Sequence, residues 1–114
     1  MKVEVGPGYG PAVRVFAAEC SSIELPGAIR VGPDDSELEQ DANCLAVGEE
    51  LFALLESLIE ISEVHSIYLA QEYGILCFAV WKADGGAWES SELEEEIREN
   101  ISSALEGLNA ANGP

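Results

Sequence analysis

Glu63 and His65 are the side chains whose types and spacing come nearest to a metal site. Two positions apart on a strand, they would point to one face, and a carboxylate with an imidazole can supply two ligands to a divalent cation. A protein zinc site takes at least three side-chain ligands. The pair alone therefore predicts no metal site and no bound cofactor. His65 is also the single histidine. Any Ser-His-Asp or Cys-His arrangement would have to use it, and no G-x-S-x-G or cysteine-protease context accompanies it. The chain thus reads as non-enzymatic, with no catalytic residue.

The three cysteines, Cys20, Cys44 and Cys77, are odd in number, widely spaced and not in a C-x-x-C pair. This argues against a disulfide scaffold and a zinc knuckle. Cys77 lies in an apolar run and reads as core filler. Cys44 precedes a helical stretch and reads as half-buried. Cys20, beside Glu19 and Ser21, is expected to be the most accessible thiol. No cation adjoins any of them to lower a pKa, so all three are expected to be inert. Gly6, Gly8 and Gly10 are spaced like part of a phosphate-binding loop, but such a loop joins a strand to a helix. Here a strand follows, prolines intervene and no Walker lysine appears, so the segment reads as a turn. The run DDSELEQD at 34–41 lacks the central glycine and D-x-D-x-D-G order of a calcium loop, and reads as a solvated acidic loop.

Charge narrows the partners. The formal net charge is −17, and residues 31–81 carry eleven acids with no Lys or Arg. Such a surface repels phosphates and anionic lipid, so neither nucleic acid nor a membrane surface is an expected partner. A basic protein or a cation is favoured. An apolar content of 47% over 114 residues suits one globular domain. No apolar run is long enough to span a bilayer, and none follows Lys2 as in a signal peptide, which predicts a cytoplasmic protein.

The elements that must position these residues follow from periodicity. Residues 2–5 and 12–17 alternate as strands, with Val13 and Val15 on one face and Arg14 and Phe16 on the other. Residues 27–31 suggest a short edge strand. A helix is expected from 45 to 61. On its wheel Val47, Leu51, Leu54, Leu55 and Leu58 share a face, Glu49, Glu56 and Glu60 oppose it, and Leu45, Phe52 and Ile59 lie on the flank. Residues 63–70 and 75–81 are apolar strands joined through 71–74, an antiparallel hairpin. Ser91-x-x-Glu94 is a capping box that opens a last helix, with Leu93, Ile97, Ile101, Ala104 and Leu108 inward and Gly107 a candidate end. The expected fold is a two-layer α/β domain of the α+β type over residues 1–108, with 109–114 a frayed tail. Its order is β-β-(β)-α-β-β-α, with four or five antiparallel or mixed strands and both helices on one face.

Two features point to a partner surface. The strand at 75–81 is apolar on both faces: Ile75, Cys77, Ala79 and Trp81 on one, Leu76, Phe78 and Val80 on the other. Either it is covered twice or one face meets a partner, a second copy included. The flank of the first helix, Leu45, Phe52 and Ile59 edged by Glu49, Glu56 and Glu60, is the expected complement of a partner with an apolar centre and a Lys/Arg rim. The alternative is that a loop or the acidic segment covers that flank.

The block from 46 to 108 resembles the N-terminal domain of NifU/Nfu-type iron–sulfur scaffold proteins. The resemblance is carried by Leu54-Leu55, by the run from Leu58 and Ile59 through Ile61, Val64 and Ile67, by the following strand, by Lys82-Ala83-Asp84 with Trp88-Glu89, and by Leu93, Ile97 and Ile101. The segment from Gly10 to Phe16 is similar to the family's T-P-N-P-x-x-x-K-F stretch without its Asn. The family's cluster-binding C-x-x-C belongs to a separate domain and has no match here. The resemblance therefore implies an accessory domain making partner contacts in iron–sulfur assembly. The second half is also similar to cytoplasmic domains of cation-diffusion-facilitator transporters, which implies a ferredoxin-like, dimeric, metal-binding regulatory domain. Length and charge are similar to those of small acidic secretion chaperones.

Overall fold

The computed structural model describes residues 2–7, 10, 12–20, 25, 28–31, 49–83, 88 and 91–112; for Pro7, Glu49, Glu50, Ser91 and 109–112 only the backbone is described. Five strands appear in chain order: β1 (Val3–Pro7), β2 (Val13–Glu19), β3 (Ile29–Val31), β4 (Val64–Glu72) and β5 (Ile75–Lys82). Helix α1 (Glu49–Ile59) precedes β4 and helix α2 (Ser91–Asn112) follows β5. The strands form one sheet in the order β1-β2-β5-β4-β3, every neighbouring pair antiparallel. The doubly apolar β5 is its central strand.

Alternation along the strands sets one buried face. Val3, Phe16, Ala18, Ile29, Val31, Ile67, Leu69, Leu76, Phe78 and Val80 are buried there. Leu51, Leu54, Leu55 and Leu58 of α1 and Leu93, Ile97, Ile101, Leu105 and Leu108 of α2 complete the same cluster. Because both helical stripes enter one core with one sheet face, the helices lie side by side on that face. Helix α1 rests on β4 and on α2, and α2 reaches β1. Leu105, fully buried, carries the α2 stripe, and Ala104 only packs at its edge.

Trp88 closes one end of the core. It is 8% exposed, its indole N–H donates to the Ala12 carbonyl at 3.0 Å, and its ring centroid lies 6.0 Å from that of Phe16. Arg14, on the helix side of β2, lies 3.7 Å from Glu94 in the first turn of α2. That distance is within ion-pair range but too long for a hydrogen bond, and the buried Arg14 Nε has no hydrogen-bond partner. Glu94 thus faces Arg14; the Ser91 side chain of the expected capping box lies outside the described residues.

Several local expectations are corrected. The β4–β5 connection is a two-residue turn, Tyr73-Gly74, and not a four-residue loop, with φ of 53° and 77°. Positive φ at both central positions matches the twist of the flanking strands. The strands therefore extend to Glu72 and Lys82. Gln71, freed for the ladder, also clamps the chain after β2: its Oε1 accepts from the Leu25 amide at 2.8 Å and its Nε2 donates to the Cys20 carbonyl at 3.2 Å. Cys20 is buried, not accessible, at 1% exposure. It continues the inward parity of Phe16 and Ala18, and its amide donates to the Gly74 carbonyl at 2.9 Å. Cys77 is not core filler but half-buried on the opposite sheet face. Helix α2 passes through Gly107 to Asn112 instead of ending there. Gly107 has no positive φ with which to stop it, and the buried Leu105 and Leu108 hold its last turns to the core. The acidic run 34–41, Cys44, Leu45 and Val47 lie outside the described residues.

Candidate interaction surface on the open sheet face

The face of the sheet turned away from the helices is built row by row from the register. One row runs Gly6, Val15, Ala79, Tyr68, Arg30, and the next Glu4, Ala17, Cys77, Ala70. Beyond them Trp81 lies between Ser66 and Val13 at one end, where Val13 is buried at 3% exposure, and Ile75 sits between Glu19 and Glu72 at the other. The middle is made of small side chains, Ala17, Ala70, Cys77 and Ala79. Bulk stands at the ends, Trp81 and Tyr68 at one and Ile75 at the other. Tyr68 is 37% exposed and Ile75 40% exposed, and no described helix or strand covers either. The result is a shallow apolar trough crossing the strands.

Charge is uneven along it. The Ile75 end carries Glu4, Glu19 and Glu72, with Lys2 3.6 Å from Glu4, and holds a depression of about 240 Å³ lined by Glu4, Ala17, Glu19 and Ile75 among others. At the opposite corner Arg30 lies over the Tyr68 ring, 5.8 Å from its centroid. A groove of about 320 Å³ opens there between Arg30, His65, Ser66, Ile67, Tyr68 and Trp81. In the floor, burial and then the charge of Glu72 push the Cys77 thiol pKa up. A thiol so placed is a poor nucleophile.

The residues singled out from sequence are distributed as follows. Phe52 and Ile59 are half-buried and pack against the core; Glu56 and Glu60 are exposed. Leu45 and the Glu49 side chain lie outside the described residues. Glu63 and His65 do not share a strand face as alternation predicted. Glu63 lies in the turn before β4, its carbonyl accepting from the Ala83 amide at 2.9 Å. The register slips by one between Val64 and Ser66, so His65 is the extra residue of a β-bulge. Its Nδ1 is 3.2 Å from Ser66 Oγ. Among the described residues no three His, Cys, Asp or Glu side chains are grouped to hold a metal, and no helix is long and apolar enough to cross a membrane.

The outward residues of β5 were legible from its double apolarity. Val15, Ala17, Tyr68 and Ala70 were missed, although the alternation of β2 and β4 places them on the same side once the register is known. Comparison with protein-family models, with curated proteins and with solved structures finds no match.

Proposed function

We propose that this chain is a non-enzymatic interaction domain that binds another protein through its open sheet face. The observation that carries the reading is the apolar trough of Ala17, Ala70, Cys77 and Ala79 between Trp81 and Ile75, left uncovered by any described element. Contiguous apolar surface rimmed by polar residues is a usual mark of a partner site. Small side chains in the floor let a backbone approach closely. The occupant that fits is a segment with an apolar stripe and Lys or Arg on the flank that meets Glu4, Glu19 and Glu72, in keeping with a net charge of −17. Nucleic acid and anionic membrane are disfavoured by the same charge. The α1 flank is the lesser candidate, because Phe52 and Ile59 already give part of their surface to the core. The NifU/Nfu resemblance adds iron–sulfur assembly as the setting in which to look for the partner. A second copy is the competing occupant, since Arg30 and Glu72 at opposite ends of one face could meet across a two-fold axis.

Selection of displayed random peptides on the chain tests this. Ala79→Arg and Ile75→Lys variants serve as counter-targets after their melting curves show that they fold. Enriched peptides should share apolar residues at regular spacing with flanking Lys or Arg, and should lose binding to both variants. Peptides without basic residues, or binding unaffected by either variant, overturn the proposal. Concentration-dependent self-association abolished by both substitutions would assign the face to a second copy.

A further inference from the structure

We propose that the groove at the His65 bulge is a binding site for a monocarboxylate carried on an aromatic ring. The site does not depend on the docking reading above. Lys2, Arg14 and Arg98 each lie within ion-pair distance of a glutamate. Arg30 has no ion pair among the described residues, although the chain carries 22 acids. It is instead held by the register opposite Tyr68 and lies over that ring at cation–π range. A guanidinium on an aromatic platform keeps its N–H fork available for a planar carboxylate.

The other walls suit the rest of such a ligand. Tyr68 and Trp81 are apolar surfaces for a ring, and Ser66, paired with Trp81 in the register, supplies a hydroxyl. The bulge turns His65, an extra residue in its strand, into the same groove. The volume of about 320 Å³ is at the small end of ligand sites and matches one ring with a short acid arm. Among the described residues no acidic side chain lines the groove, although Glu63 stands two residues before His65. Glu72 is four residues along β4 from Tyr68, about 13 Å away, beyond the screening length of about 8 Å at physiological salt. The long-range field of an acidic chain, set against a single fixed cation, favours a monoanion over a phosphate.

Amide and indole N–H chemical shifts, followed during titration with phenylacetate and with its uncharged amide, test the site. A tripeptide ending in Phe, with a free or an amidated terminus, forms the second arm. Saturable shifts at Trp81, Arg30 and Ser66 are expected with the carboxylates and not with the amides. Arg30→Gln should weaken binding about tenfold or more, and Arg30→Lys should restore part of it. Both variants should melt as the parent does, since Arg30 is exposed. If only the free acid binds, the ligand is a small molecule; if the peptide acid binds more tightly, it is a chain terminus. Either result supports the shared chemistry. Equal binding of acid and amide, an Arg30→Gln variant of unchanged affinity, or no saturable shift at millimolar ligand would overturn the assignment.

Discussion

Trp88→Phe is the most informative single change for the fold. The Ala12 carbonyl accepts twice, from the Trp88 indole at 3.0 Å and from the Lys82 amide at 3.0 Å. Removing the indole N–H therefore deletes one hydrogen bond, worth about 1 kcal/mol, but leaves no orphaned acceptor and avoids the further 1–3 kcal/mol of that penalty. Phenylalanine keeps a ring against Phe16, which now lies 6.0 Å away at 58° to the indole. The lost part of the bicycle removes buried carbon worth roughly another 1 kcal/mol. The sum is about 1.5–3 kcal/mol, against about 3–5 kcal/mol for Trp88→Ala, which empties the site. Urea unfolding followed by far-ultraviolet circular dichroism measures both, and the slope with denaturant should not change. If Trp88→Phe costs as much as Trp88→Ala, the Lys82 amide does not spare the Ala12 carbonyl and the ring kept against Phe16 contributes little. If it costs less than about 0.5 kcal/mol, Trp88 does not close the core.

Leu58→Ala should cost about 2–5 kcal/mol in the same assay, because Leu58 is fully buried between α1 and the sheet. Tyr73→Asn should raise stability by about 0.5–1 kcal/mol, since Tyr73 is 95% exposed at φ 53°, a conformation that asparagine adopts more readily than tyrosine; a loss would show that the tyrosine side chain matters. The melting temperature should rise from low to moderate sodium chloride as counter-ions screen a net charge of −17, and a flat response would refute self-repulsion as a force on this fold. The Cys77 thiol is held protonated in the folded chain by burial and then by Glu72. Its pKa is higher folded than unfolded, so its contribution to stability is complete below the ordinary thiol pKa and is lost as pH rises through the folded value. Cys77→Ala should reduce that alkaline fall in unfolding free energy.

The helices, the hairpin and the common core were legible in the sequence because each rests on a local period. Leu51, Leu55 and Leu58 recur at helical spacing, as do Leu93, Ile97 and Ile101, and Leu76, Phe78 and Val80 alternate. Each pattern names its own buried side without reference to the rest of the chain. The double apolarity of β5 likewise announced a choice between a second cover and a partner. Tertiary structure alone placed β5 in the centre with both described helices on one side of it. The same long-range pairing determined what local spacing could not. A one-residue slip at His65 undid the shared face inferred for Glu63 and His65, because alternation counts positions and a bulge inserts one. Parity with Phe16 and a bond to Gly74 buried Cys20 in spite of its polar neighbours. Buried leucines either side of Gly107 overrode its helix-ending tendency, since packing exceeds intrinsic propensity. Arg30 met Tyr68 only because β3 and β4 pair in that register. The cationic corner of the open face is thus a product of strand pairing between distant segments, which no periodicity within either segment encodes.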